Sequence, residues 1–288
     1  MVELEPRTLL SGLVVGESPR WHDGRLWFAN WGAAQEIRTV DLQGHSEVIA
    51  KGPKPAGYCI DWLPNGDLLV TGEGRILRHA GDGSFVTHTD LSALGQAWNE
   101  IVVDGRGNTY VNGGTDFQPE AGVAPGVIAM VTADGAVRKV AEDIAFPNGM
   151  VVTADNSTLV VAESFAGRLT AFDIAADGSL SNRRVWADHT GDGICVDAEG
   201  AIWCSTMDAK GTSVDRVREG GEVLQRVETD LPCFACMLGG DDGKTLFMLL
   251  ADWRPGDGFE DNIRRLTTGP RTGKILTAPA PAPRAGWP

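Results

Sequence analysis

Four side chains that carry oxygen stand at nearly the same place ahead of a turn in four separate stretches of the chain. Asn99 and Asp192 lie eight residues before the turn glycines Gly107 and Gly200, Asn148 lies eight before Asn156, and Glu17 lies seven before Gly24. The same offset gives Tyr58 and Ala235 ahead of Gly66 and Gly243. Two carboxylates and two amide carbonyls, with no histidine or cysteine among them, make a donor set for one hard divalent cation. Ca²⁺ suits it first, then Mg²⁺ or Mn²⁺, with Zn²⁺ the softer outsider. Turn-forming Asn and Asp residues that merely cap loops are the competing reading, and it explains one such position better than four in phase.

Residues at equal phase meet only if the elements carrying them are repeated around a common axis. Turn signals followed by apolar pairs recur at Asp23-Gly24, Asn65-Gly66, Arg106-Gly107, Asp155-Asn156, Glu199-Gly200 and Asp242-Gly243, with spacings of 42, 41, 49, 44 and 43 residues. A second set of turns falls between them, from Gln43-Gly44 to Gly269–Gly273. Each unit therefore holds about four short strands, and six units predict an all-β, six-bladed β-propeller with four-stranded blades. Residues 1–288 read as a single domain. The first strand of each blade lines the central channel, so the phased oxygens converge at one end of the axis. Arg7 to Val15 is expected to complete the last blade. The spacing of 49 marks an inserted loop near 115–126, and the Ala/Pro-rich residues 277–288 read as an extended, poorly ordered tail. Helical periodicity is scarce.

Composition narrows the partners. A formal charge of −14 and a pI near 4.7 argue against nucleic acid and anionic membranes and are compatible with a cation site. Five cysteines, an odd number, do not form a disulfide framework, and the lone Cys233-x-x-Cys236 is a strand residue plus a loop residue rather than a zinc site. The acidic N-terminus is no signal peptide and no apolar run spans a membrane, so a cytoplasmic protein acting on a small molecule is expected.

The stretches Gly16-Glu17-Ser18-Pro19-Arg20-Trp21, Trp98-Asn99-Glu100-Ile101-Val102-Val103-Asp104, Phe146-Pro147-Asn148-Gly149 and Gly191-Asp192-Gly193 give the chain a close resemblance to the regucalcin (senescence marker protein)/gluconolactonase/luciferin-regenerating-enzyme-like family. The resemblance covers nearly the whole chain. It implies one divalent metal at the axis, held by Glu17, Asn148 and Asp192. It further implies that Asn99 binds metal or contacts substrate and that Asp192 doubles as general base or nucleophile. Sugar-lactonase members place an arginine two residues before the position of Asn99. Ala97 stands there here, followed by the bulky Trp98, which points to a less polar ligand.

Trp31, Tyr58, Trp98, Phe117, Phe146 and Phe165 are candidates for the walls of a substrate pocket, Tyr58, Trp98, Phe117 and Phe146 foremost. Trp27, Trp62 and Trp203 recur in phase and are expected in the core. His189, three residues before Asp192, reads first as a surface loop residue and second as a base, and Glu163 and Ser164 as supports of the site. No G-x-S-x-G elbow is present. The expected activity is a metal-dependent hydrolysis of lactones or related esters, with Asp192 activating water or attacking and Asn99 orienting the carbonyl oxygen. A metal-dependent phosphotriesterase, a non-hydrolytic cyclase and a non-catalytic binding propeller are the alternatives, since fold does not fix reaction.

Overall fold

The inner strands read as nearly continuous apolar runs, such as Ile101-Val102-Val103 and Met150-Val151-Val152, and in the computed structural model each is buried on both faces between neighbouring blades. The structure describes residues 5–288 apart from 54–56, 73, 96, 114–116, 119–121, 124, 209–210 and 255, and only the backbone at 117, 118, 122, 123, 207, 208, 259 and 267. Six four-stranded antiparallel sheets form a six-bladed propeller. Their innermost strands are Gly16–His22, Ile60–Trp62, Trp98–Val103, Pro147–Val152, Cys195–Val196 and Cys233–Gly239, which define blades 1 to 6. The outermost strands are wetter: Ser46–Lys51 and Phe85–Asp90 each bury little beyond one residue. Arg7–Leu13 pairs antiparallel with Gly273–Pro279 and supplies the outer strand of blade 6, so the two ends of the chain close the ring as expected.

The turns explain both the common offset and its one exception. In blades 2 to 6 the inner hairpin has a five-residue loop whose fourth residue sits at positive φ, as in Gly66 (88°), Gly107 (84°), Asn156 (56°) and Gly200 (76°). Glycine and asparagine reach that conformation with least strain. Blade 1 turns instead on Asp23 and Gly24 alone, both at positive φ (49° and 72°), the two-residue turn that matches strand twist. The shorter loop, after an inner strand one residue longer, puts Glu17 seven rather than eight residues from its glycine while leaving it at the same level.

Three features depart from expectation. A helix, Phe259–Thr268, lies between the last two strands of blade 6, packing Leu266 near Val14, Val15 and Ala251. Its apolar residues Phe259, Ile263 and Leu266 do fall at helical spacing, but over only ten residues inside a strand-dominated chain. The inserted stretch of blade 3 includes a small hairpin, Phe117–Gln118 with Gly122–Val123. The 277–288 segment begins inside the last strand and then straps the far end of the propeller. Ala198 N donates to Pro283 O (2.8 Å), Arg284 N to Gly243 O (2.9 Å), and Val152 and Trp287 exchange both backbone bonds (2.6 and 2.9 Å). Paired backbone and the burial of Ala282 hold it, so the Ala/Pro composition does not make it loose.

Candidate metal and catalytic site

The lead-in to several inner strands is bulged. Register shifts fall between Glu17 and Arg20, Trp98 and Ile101, Pro147 and Met150, and Cys233 and Ala235. A bulge bends the strand and re-aims a side chain, which is how Glu17, Asn99 and Asn148 leave the sheet alternation. Asp192 has no such strand of its own; it lies just before the short strand Cys195–Val196.

Contacts between neighbouring blades gather these residues at one end of the axis. Ile60 N donates to Ser18 Oγ (2.9 Å), and Ser18 Oγ donates to Glu100 Oε1 (3.4 Å). Asn99 Nδ2 donates to Pro147 O (3.2 Å), Asn112 Nδ2 to Asn148 O (2.5 Å), Gly149 N to Asp192 O (3.0 Å) and Gly193 N to Phe234 O (2.8 Å). Gly149 and Gly193 are required by close approach. A Cβ on the first would stand 2.4 Å from Asp192 O, and one on the second 2.5 Å from Ala235 Cβ.

The electrostatics of this end are unbalanced. Burial first, then repulsion from Asp192 and Glu100, pushes the Glu17 carboxyl well above the usual carboxylate range. Burial and Glu100 push Asp192 up to about 7, and the Asn148 amide and Gly193 N–H offset only part of that. Asp192 Oδ1 is buried with no hydrogen-bond partner among the described residues. Glu100 is the residue that the phase argument missed, because it sits one position past Asn99. Arg20 Nη2 donates to it at 3.0 Å, so the cation nearest Glu17 is already engaged. An orphaned carboxylate oxygen and two carboxyls that repel each other in a dry place fit a bound divalent cation, which would favour both ionised forms. Among the described residues no three His, Cys, Asp or Glu side chains cluster as a metal site. The amide oxygens of Asn99 and Asn148 would therefore have to complete the donor set.

The aromatic candidates divide. Tyr58 is fully buried among Ala29, Ile37 and Ile60, and Trp98 is 6% exposed among Leu91, Ile101 and Val111. Both rings are core, because a ring between blades gains more from packing than one at the mouth. The Phe117 side chain lies outside the described residues. Phe146 stays half-buried and stacks on Phe165 (centroids 4.4 Å apart, planes 9°). Trp31 is half-buried and donates to Tyr58 O (2.7 Å). Trp203 is core as expected, whereas Trp27 and Trp62 are half-buried at the opposite end, with the His22 ring stacked on Trp62 (4.2 Å). Cys233 and Cys236 both belong to the inner strand of blade 6, and all five cysteines are free and buried.

His189 is neither a surface residue nor placed as a base. Its Nε2 meets Asp215 Oδ2 (3.1 Å) and its Nδ1 meets Thr190 O (2.8 Å), so both ring nitrogens are committed within blade 5. Ser164 Oγ donates to Gly191 O (2.8 Å) and so tethers the Asp192 loop. Glu163 accepts from Ala145 N (2.8 Å) and pairs with Arg168 and Arg183.

Comparison with known proteins follows the same lines. The SMP-30/Gluconolactonase/LRE-like region matches residues 15–252. Diisopropyl-fluorophosphatase of Loligo vulgaris is 28% identical over 183 residues, 55% of this chain and 57% of that protein, so the match spans little more than half of that relative's length. Regucalcin of Xenopus laevis is 26% identical over 274 residues, 88% of this chain and 90% of the relative. A solved structure of a calcium-binding protein, regucalcin, from Agrobacterium tumefaciens superposes with a TM-score of 0.76 at 20% identity, over 98% of this chain and 97% of that one. At that identity the likeness speaks to the fold.

Proposed function

The chain belongs to the SMP-30/gluconolactonase/LRE-like family, and from that premise we propose that it is a divalent-metal-dependent hydrolase of lactones or related esters. One observation carries the reading: Glu17 and Asp192 are desolvated carboxyls at the axis, and Asp192 Oδ1 has no partner among the described residues. A desolvated carboxyl with an unpartnered oxygen is costly to keep, and a bound ion that balances it removes that cost. Glu17, Asn148 and Asp192 would hold the ion, with Asn99 beside them, and Ca²⁺ is the first candidate because every donor is oxygen. A bound divalent ion supplies Lewis-acid polarisation of the carbonyl and stabilises the developing oxyanion.

The protein's own residues supply the rest. Asp192, whose carboxylate form a bound cation would favour, would accept a proton from the attacking water or attack the carbonyl carbon itself. Its backbone is fixed by Gly149 N and its loop by Ser164 Oγ, so the carboxyl is pre-oriented. Asn99 keeps one amide hydrogen engaged with Pro147 O, leaving the other for a substrate oxygen. The similarity to diisopropyl-fluorophosphatase favours, as a second reading, a phosphotriester at the same centre.

Metal analysis of wild type, Glu17→Gln and Asn148→Ala, together with turnover of a lactone panel and an aryl phosphotriester with and without chelator, tests this. Metal bound by wild type and lost in both variants, with chelator-sensitive lactone turnover, is expected. Equal metal content in all three, or turnover indifferent to chelator, would overturn it.

A further inference from the structure

Two aromatic pairs flank the blade that carries Asp192. On the blade 4 side Phe146 and Phe165 are stacked, and Phe165 is 59% exposed, more than any other large apolar side chain described. Phe146 holds a positive φ of 56°, a conformation unusual for a bulky residue that is kept only where the surroundings enforce it. Ser164 N donates to Phe146 O (3.2 Å), which ties the two halves of the pair. Phe146 lies two residues before Asn148, and Ser164, next to Phe165, donates to Gly191 O beside Asp192. The blade 6 side has Phe234 and Trp253, both half-buried and packed edge to face (6.0 Å, 72°), with Phe234 O accepting from Gly193 N. Polar groups on the same rim are largely used by the fold: Gly149 N, Gly193 N, Ser164 Oγ and one Asn99 amide hydrogen each have a protein acceptor. A polyhydroxylated ring needs placed donors and acceptors for its hydroxyls, and discrimination for it is lost without them.

Building on the hydrolase reading above, we propose that these aromatic pairs receive an apolar substituent of the substrate, so that the lactone or ester taken carries an alkyl chain or aryl group. Phe165 is the specificity-determining residue most open to test, because its exposure lets it be truncated without disturbing the core. The experiment measures binding of 4-phenylbutyrate, an aryl carboxylate of the product class, by calorimetry in Ca²⁺ to wild type, Phe165→Ala and Phe165→Leu. It also measures kcat/KM for an alkyl-substituted lactone and for gluconolactone. Expected are about tenfold weaker phenylbutyrate binding and about tenfold lower alkyl-lactone kcat/KM in Phe165→Ala, an intermediate Phe165→Leu, and a smaller fall in gluconolactone turnover than in alkyl-lactone turnover. Weakened phenylbutyrate binding with no lactone turnover in any protein supports the aromatic site and sinks the hydrolase reading instead. Unchanged phenylbutyrate affinity in Phe165→Ala, or a wild-type preference for gluconolactone, overturns the proposal.

Discussion

Glu163, fully buried, and Asp192, half-buried with its Oδ1 out of water, are carboxylic acids at the same end of neighbouring blades, and the fold treats them in opposite ways. Burial alone would raise both. Around Glu163, however, Arg168, the Ala145 N–H, Thr170 and Arg183 converge and bring its pKa down to about 2. Around Asp192 no cation arrives among the described residues, burial and Glu100 both act against its charge, and its pKa rises to about 7. A carboxylate that serves structure is given its counter-charges by the protein. One left without them, in a fold that elsewhere supplies them freely, is kept for something that comes from outside.

The largest effect that could break this contrast is on catalysis. Asp192→Asn keeps the shape and one oxygen donor but is neither base nor nucleophile, so lactone turnover should fall about 10²–10⁴-fold. Saturating Ca²⁺ or Mn²⁺ should not restore it, whereas Glu17→Gln should recover in part. Titrating both variants with metal during turnover decides the matter, and full rescue of Asp192→Asn would reduce Asp192 to a ligand.

Glu163→Gln should do the reverse. Removing the buried charge leaves Arg168 and Arg183, each about a third exposed, without their counter-charge at a cost of about 1–3 kcal/mol, read by denaturant unfolding. Activity below the unfolding transition should stay within a few-fold of wild type. Lost turnover without lost stability would move Glu163 into the site.

The pH dependence of stability should run in opposite directions for the two acids. Glu163, lowered from 4.5, contributes stability that is present above its ordinary pKa and lost as pH falls toward about 2. Asp192, raised from 3.8 to about 7, makes the folded state hold more protons than the unfolded one between those values. Without metal, stability should therefore fall as pH rises from about 4 to about 7, by up to about 1.4 kcal/mol per pH unit. Glu17, also raised, adds to the same trend. Melting temperature against pH in chelator should show the decline, Ca²⁺ should reverse it above pH 7, and Asp192→Asn should flatten it. A flat wild-type profile in chelator would show that the carboxyls are compensated after all.

The smallest effect belongs to Tyr58, whose buried hydroxyl has no partner among the described residues. Tyr58→Phe should change stability by less than about 1 kcal/mol and leave turnover unaltered. A drop in kcat/KM would return the ring to the substrate site.

Much of this architecture is written in the chain. Turns at Gly66, Gly107, Asn156, Gly200 and Gly243 need positive φ, and residues that tolerate it are easily recognised, so blade number and the common level of Glu17, Asn99, Asn148 and Asp192 follow from local chemistry. Closure of the ring by Arg7–Leu13 follows from the same count. What the tertiary structure decided is who compensates whom. Arg20 turns to Glu100, Asp215 to His189, and Arg168 and Arg183 to Glu163, across separations of 80, 26, 5 and 20 residues. The same holds for the aromatics: Tyr58 and Trp98 went inward and Phe165 outward, although nothing in their neighbouring residues separates them. A backbone turn depends on two or three consecutive residues and leaves a local signature. Desolvation and Coulomb balance depend on atoms brought together by strand pairing within a blade, as for Arg168 and Arg183 about Glu163, or by packing between blades, as for Arg20 and Glu100, and they have no such local signature.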